Sequence, residues 1–122
     1  MADGSGGTHQ ELEESPSVQR WLQSPGLSSA PEAEHAALVD LLGGLCEFAG
    51  KGPDALVTEC LRTTKSGDRA ISAKGRRWAE DTIEAFVATK GFTGHQAVVT
   101  ANALRGFLIH NGIFMQGPAS IG

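Results

Sequence analysis

The chain contains no tyrosine. Any reaction that runs through a tyrosyl nucleophile is therefore closed to this chain acting alone. Cysteine is scarce: Cys46 and Cys60 both fall inside helical patterns and do not form a C-x-x-C unit. Such a pair reads as reduced core thiols of a cytoplasmic protein, in preference to a disulfide or a metal pair. No apolar run approaches the roughly 20 residues of a membrane span, so no membrane partner is expected. The N-terminus lacks the basic and apolar regions of a secretory signal. Nothing alternates with period two, so no sheet is expected. The four histidines, His9, His35, His95 and His110, are far apart, with no i, i+4 pair. There is no nucleophile elbow and no Walker-type phosphate loop. Carboxylates such as Glu80, Asp81 and Glu84 read as a solvated helix face. The expectation is no metal, no cofactor and no small-molecule substrate, with an enzyme the least supported class.

What the chain does have is an uneven charge. Its 122 residues carry a formal net charge of −4. Before Arg62 there are two basic and ten acidic residues; from Arg62 onward there are eight basic and four acidic, so a −8 half is joined to a +4 half. Six of the ten basic residues lie between Arg62 and Arg77 (Arg62, Lys65, Arg69, Lys74, Arg76, Arg77), with Asp68 the one acid among them. Such asymmetry points to a polyanion-facing surface. The plain alternative is a solvated loop and helix start.

Helical patterns flank this stretch. Residues 1–14 are polar, acidic and Gly-rich, and read as a disordered tail. Ser15-Pro16, then Val18, Trp21 and Leu22, predict a short helix ending near Gln23. Ser29-Ala30-Pro31-Glu32 has the S-x-x-E spacing of a capping box, so the next helix is expected to open at Ser28 or Ser29. Its face is Leu38, Leu41, Leu42, Leu45, Phe48 and Ala49. Gly43-Gly44 within it costs about 1 kcal/mol per residue against alanine, which predicts either a kink or close approach of a neighbour. Pro53 and Asp54 launch a helix with Leu56, Val57, Cys60 and Leu61 inward. The basic stretch follows as a loop broken at Ser66-Gly67. Ser72 caps a helix whose stripe is Ala79, Ile83, Phe86 and Val87, with Trp78 at its edge, closed by Lys90-Gly91. Thr93 opens the last helix, whose face is Ala97, Val98, Ala101, Leu104 and Leu108 with Phe107 beside them. Asn111-Gly112 ends it and Ile113 folds back. The expected fold is all-α: a compact bundle of four main helices plus a short N-terminal one over residues 15–116, with a C-terminal tail over 117–122.

Binding is the function these features favour. Lys65, Arg69, Lys74, Arg76 and Arg77 are the candidate phosphate contacts. Lys74, Arg76 and Arg77 sit on opening turns whose free N–H groups suit an anion. Arg105 is expected to project from the last helix, with Thr93 and His95 as donors at its start. The acidic half must then face away.

Two stretches carry a resemblance. Leu41-Leu42-Gly43-Gly44-Leu45-Cys46-Glu47-Phe48-Ala49-Gly50-Lys51-Gly52-Pro53-Asp54-Ala55-Leu56-Val57 resembles the first helix and helix junction of the N-terminal core-binding domain of tyrosine recombinases and phage-type integrases, where L-x-x-F is followed by G-K-x-P-D-x-L. Ala103-Leu104-Arg105-Gly106-Phe107-Leu108-Ile109-His110-Asn111-Gly112-Ile113 resembles that domain's last helix, and Ser17 to Leu22 its lead-in helix. The resemblance implies a SAM-like helical bundle forming half of a clamp around double-stranded DNA. The family's other half carries an arginine, histidine and tyrosine constellation, which this chain lacks. It also departs from the family where Glu34 and Leu38 replace a threonine or arginine and a tyrosine, and where Gly43 and Gly44 replace basic residues.

The leading expectation is thus a non-catalytic DNA-binding domain associated with recombination or integration, pairing with a recombinase or with its own copies. The alternatives are a helical protein-interaction module, an integrase remnant without DNA binding, or a gene fragment without function.

Overall fold

A computed structural model of the chain describes residues 9–113. The tail expected over 117–122, and the ends of the expected domain and N-terminal tail at 114–116 and 1–8, lie outside the described residues. Among the described residues the architecture is all-α apart from one small ribbon. It runs α1 (His9–Glu14), α2 (Pro16–Leu22), α3 (Glu32–Ala49), α4 (Pro53–Glu59), β1 (Leu61–Thr63), β2 (Arg69–Ile71), α5 (Ala73–Thr89) and α6 (Gly94–Ile109).

Two expectations are corrected at the N-terminal side. The stretch expected to be disordered is helical from His9 to Glu14. Leu12 explains it: this one apolar side chain is buried against α3, where a Cβ on Gly43 would lie 2.9 Å from Leu12 Cδ1. The second correction concerns α3, which opens at Glu32 with extended Pro31 as its N-cap, so the S-x-x-E box does not form. Pro31 sits inside that box and holds Ala30 away from helical geometry. Pro31 O instead accepts from the amides of Glu34 and His35.

The glycine pair in α3 is a place of close approach, not a break. The helix is continuous through it, and a Cβ on Gly44 would stand 3.1 Å from the Phe86 ring of α5. The buried residues of α3 are Val39, Leu42, Leu45 and Cys46, while Phe48 is 43 % exposed. On α6 the expected face is right at Ala101, Leu104 and Leu108 but not at Val98, which is exposed.

α3, α5 and α6 pack on one another, with α4 and α2 closing the bundle and α1 lying on α2 and α3. Trp21 meets Phe107 edge-on at 5.4 Å between centroids. Val18, Leu42, Ile83, Leu104 and Ile113 belong to the same core and are all essentially inaccessible. Polar bonds fix the short α2. Asp54 Oδ1 on α4 accepts from Ser17 N, and Asn111 Nδ2 donates to Ser17 O and Phe107 O. Gly112 takes φ +91° so that Ile113 N can reach Leu108 O and turn the chain back onto the core.

Candidate nucleic-acid interface

The basic stretch is not a loop. Leu61 pairs with Ile71, Arg62 with Ala70 and Thr63 with Arg69 in an antiparallel ribbon, which corrects the expectation of no sheet. Its strands are three residues each, too short for a period-two pattern to show in the sequence. The turn explains why they pair. Gly67 N donates to Thr64 O, Gly67 takes φ +92°, and Thr64 N donates to Asp68 O. This is a tight turn followed by a left-handed glycine, a common three-residue hairpin connection. Side chains brace it: Asp68 N donates to Thr64 Oγ1, and Ser66 Oγ donates to Asp68 Oδ2 at 3.2 Å.

The ribbon leads straight into α5. Ser72 N donates to Cys60 O, and Ser72 Oγ accepts from Gly75 N as the helix cap. Gly75 is indispensable to this junction. A Cβ there would lie 2.1 Å from Glu59 O and 2.9 Å from Cys60 Cα. The absent side chain lets α5 start against the end of α4, and so sets the ribbon beside the opening turns of α5. An open depression of about 320 Å³ lies between them, lined by Glu59, Leu61, Ser72, Lys74, Gly75 and Trp78. Glu59 pairs there with Lys51 at 3.3 Å, whose ammonium also stands 5.9 Å from the Trp78 ring centroid.

Of the sequence-predicted site residues, Lys65 and Arg69 lie on the ribbon and its turn with Arg62, and Lys74, Arg76 and Arg77 on the opening turns of α5 that follow. Arg62, Lys65, Arg69, Lys74 and Arg77 are exposed and make no ion pair with a described residue. Arg76 is half-buried and already has a partner. The remaining three residues fall elsewhere. Thr93 and His95 are exposed at the start of α6, beyond the far end of α5. At about 1.5 Å per residue, the length of α5 separates them from Lys74 by roughly 24 Å.

Arg105 does not project. It is 6 % exposed, and its Nε donates to both oxygens of Glu80 at 3.0 and 2.9 Å. Its Nη2 also pairs with Glu80, Glu84 lies 3.7 Å away, and Nη1 donates to Asn102 Oδ1. The i, i+4 pair Glu80 and Glu84, read from sequence as a solvated face, is what holds it. A guanidinium clamped this way is a structural tie between α5 and α6, not a phosphate contact.

Among the described residues no three His, Cys, Asp or Glu side chains cluster as a metal site, and no helix is long and apolar enough to cross a membrane. Both cysteines are free thiols buried in the core. Desolvation pushes Cys46 up to about 12, and desolvation with the nearby Glu59 charge pushes Cys60 up to about 11. Neither is a reactive thiol. No protein-family profile, curated protein or solved structure matches the chain.

Proposed function

We propose that the chain is a non-catalytic domain that binds the phosphate backbone of double-stranded DNA through the β1–β2 ribbon and the opening turns of α5. The observation that carries this reading is the group of five exposed cations, Arg62, Lys65, Arg69, Lys74 and Arg77, that no described carboxylate neutralises. Side chains held open to solvent in this way release counterions when they meet a polyanion. The resemblance to the core-binding domain of tyrosine recombinases supports the same reading. The G-K-x-P-D segment forms the α3–α4 junction, and N-G-I forms the stop of α6. Roles in recombination or integration, and pairing with a recombinase or a second copy, follow from that resemblance.

The competing reading is a protein-interaction module, favoured by the exposure of Val98 and Val99 on α6, at 57 % and 50 %. Titration of a fluorescent duplex between about 50 and 200 mM salt separates the two. The DNA reading expects affinity to fall with a log–log slope of roughly −0.9 per phosphate contact. Lys74→Ala with Arg77→Ala should weaken binding and reduce that slope by about two contacts' worth. Binding that ignores salt, or survives the double substitution unchanged, rules it out.

A further inference from the structure

Arg62 and Arg69 point to opposite faces of the ribbon. Arg62 is paired with Ala70, while Arg69 is paired with Thr63, and successive residues of a strand alternate between faces. A ribbon lying flat on one backbone would use one of these arginines and turn the other away. Both find phosphates if the ribbon stands between two backbones. We propose that the β1–β2 ribbon enters the major groove of a DNA duplex tip first, with Arg62 and Arg69 meeting the two phosphate walls and Lys65 and Asp68 reaching base edges at the floor. The proposal rests on the backbone-binding reading above and adds sequence readout to it.

The dimensions agree. From the Leu61–Ile71 pair to the Thr63–Arg69 pair the ribbon spans two residue steps, about 7 Å of extended chain, and the turn from Thr64 to Asp68 stands beyond that, against a groove depth of roughly 8.5 Å. The major groove, about 12 Å wide, admits a two-stranded ribbon; the minor groove, about 6 Å, does not. Gly67 at the tip adds no side chain to its width. The tip is also pre-formed. The Thr64, Ser66, Gly67 and Asp68 bonds hold the turn in place, so little ordering is left to do on binding.

The chemistry of the tip accounts for the one acid in the basic stretch. Asp68 would be repelled by phosphate, so it is out of place on a surface that meets only a backbone. At the groove floor a carboxylate can accept from cytosine N4, and a lysine can donate to guanine O6 and N7. Ser66 Oγ holds the Asp68 carboxylate at the tip, next to Lys65 in the turn. A donor and an acceptor placed together there match a G·C pair.

The test uses the full chain and two-turn duplexes, one of mixed sequence and one of A·T pairs only. Dimethyl sulfate, which methylates guanine N7 in the major groove, is applied to the bound mixed duplex. The expected results are protection of guanine N7, and a loss of about 0.9 in salt slope for each of Arg62→Gln and Arg69→Gln. Lys65→Ala and Asp68→Asn should each reduce the preference for the mixed duplex roughly tenfold, with helical circular dichroism unchanged. A bound duplex whose guanines stay fully reactive overturns the insertion and leaves the backbone-binding reading standing. Insertion is overturned in the same way if only one of the two arginines affects the salt slope. Failure of the unaltered chain to bind either duplex removes both readings together.

Discussion

At the scale of single residues, the position that does most to place the candidate site is one with no side chain. Gly75 lets the first turn of α5 touch the backbone of Glu59 and Cys60, and its neighbours there cannot rotate out of the way. Gly75→Ala should therefore push α5 off α4 despite alanine's better helix propensity. Overpacking of this kind costs about 1–3 kcal/mol, and a backbone clash puts it at the upper end. Urea unfolding checks this; a neutral or stabilising effect would show that the contact is not tight. The buried thiols make a second residue-scale prediction. The pKa values of Cys46 and Cys60 are raised by folding, so their neutral forms stabilise the native state fully below about pH 9. That contribution is lost as the pH climbs through 9 toward 11 and 12, at about 1.4 kcal/mol per pH unit for each thiol. Comparing alkaline unfolding of the native chain with Cys46→Ala isolates the effect, because lysine titration is common to both.

At the scale of elements, α1 shows what a marginal helix rests on. It has six residues and one buried apolar anchor, far below the length at which an isolated helix persists. Leu12→Ala should free α1 from α3 and lose its few residues of helical signal, while α5 and α6 keep their hydrogen-exchange protection. Global collapse instead would mean that α1 is part of the cooperative core. The same element shows where sequence reasoning stops. α5 and α6 were legible because Ile83, Phe86, Leu104 and Leu108 repeat over several turns, and Ser72 and Gly112 mark an end of each. A single leucine in an acidic segment carries no period, and neither do three-residue strands. The ribbon's only advance signal was Ser66-Gly67, which marks a turn but not whether strands flank it. The candidate site was legible as charge, since Arg62 to Arg77 stands out by composition alone. That Arg105 serves Glu80 could not be read, because their pairing depends on how α5 and α6 face each other.

At the scale of the whole molecule, the question is whether the acidic half hinders the basic one. Glu32 and Glu34 open α3, in the half that carries −8, and both are exposed. A domain of this size has a radius of gyration of roughly 14 Å. At about 0.15 M salt the screening length is near 8 Å, so a phosphate at the ribbon barely feels charges farther from it than that. At about 0.01 M it is near 30 Å, and the duplex meets the negative charge of the entire chain. Neutralising both residues with Glu32→Gln and Glu34→Gln should therefore speed association with a duplex severalfold at the lower salt and hardly at all at the higher. The substitutions also weaken the start of α3 by about 0.3–1 kcal/mol each, through loss of their helix-dipole interaction, so folded content is matched before rates are compared. A gain that persists at 0.15 M would place these glutamates within a screening length of the bound backbone. No gain at either salt would show that the charge at the start of α3 does not oppose association with the duplex.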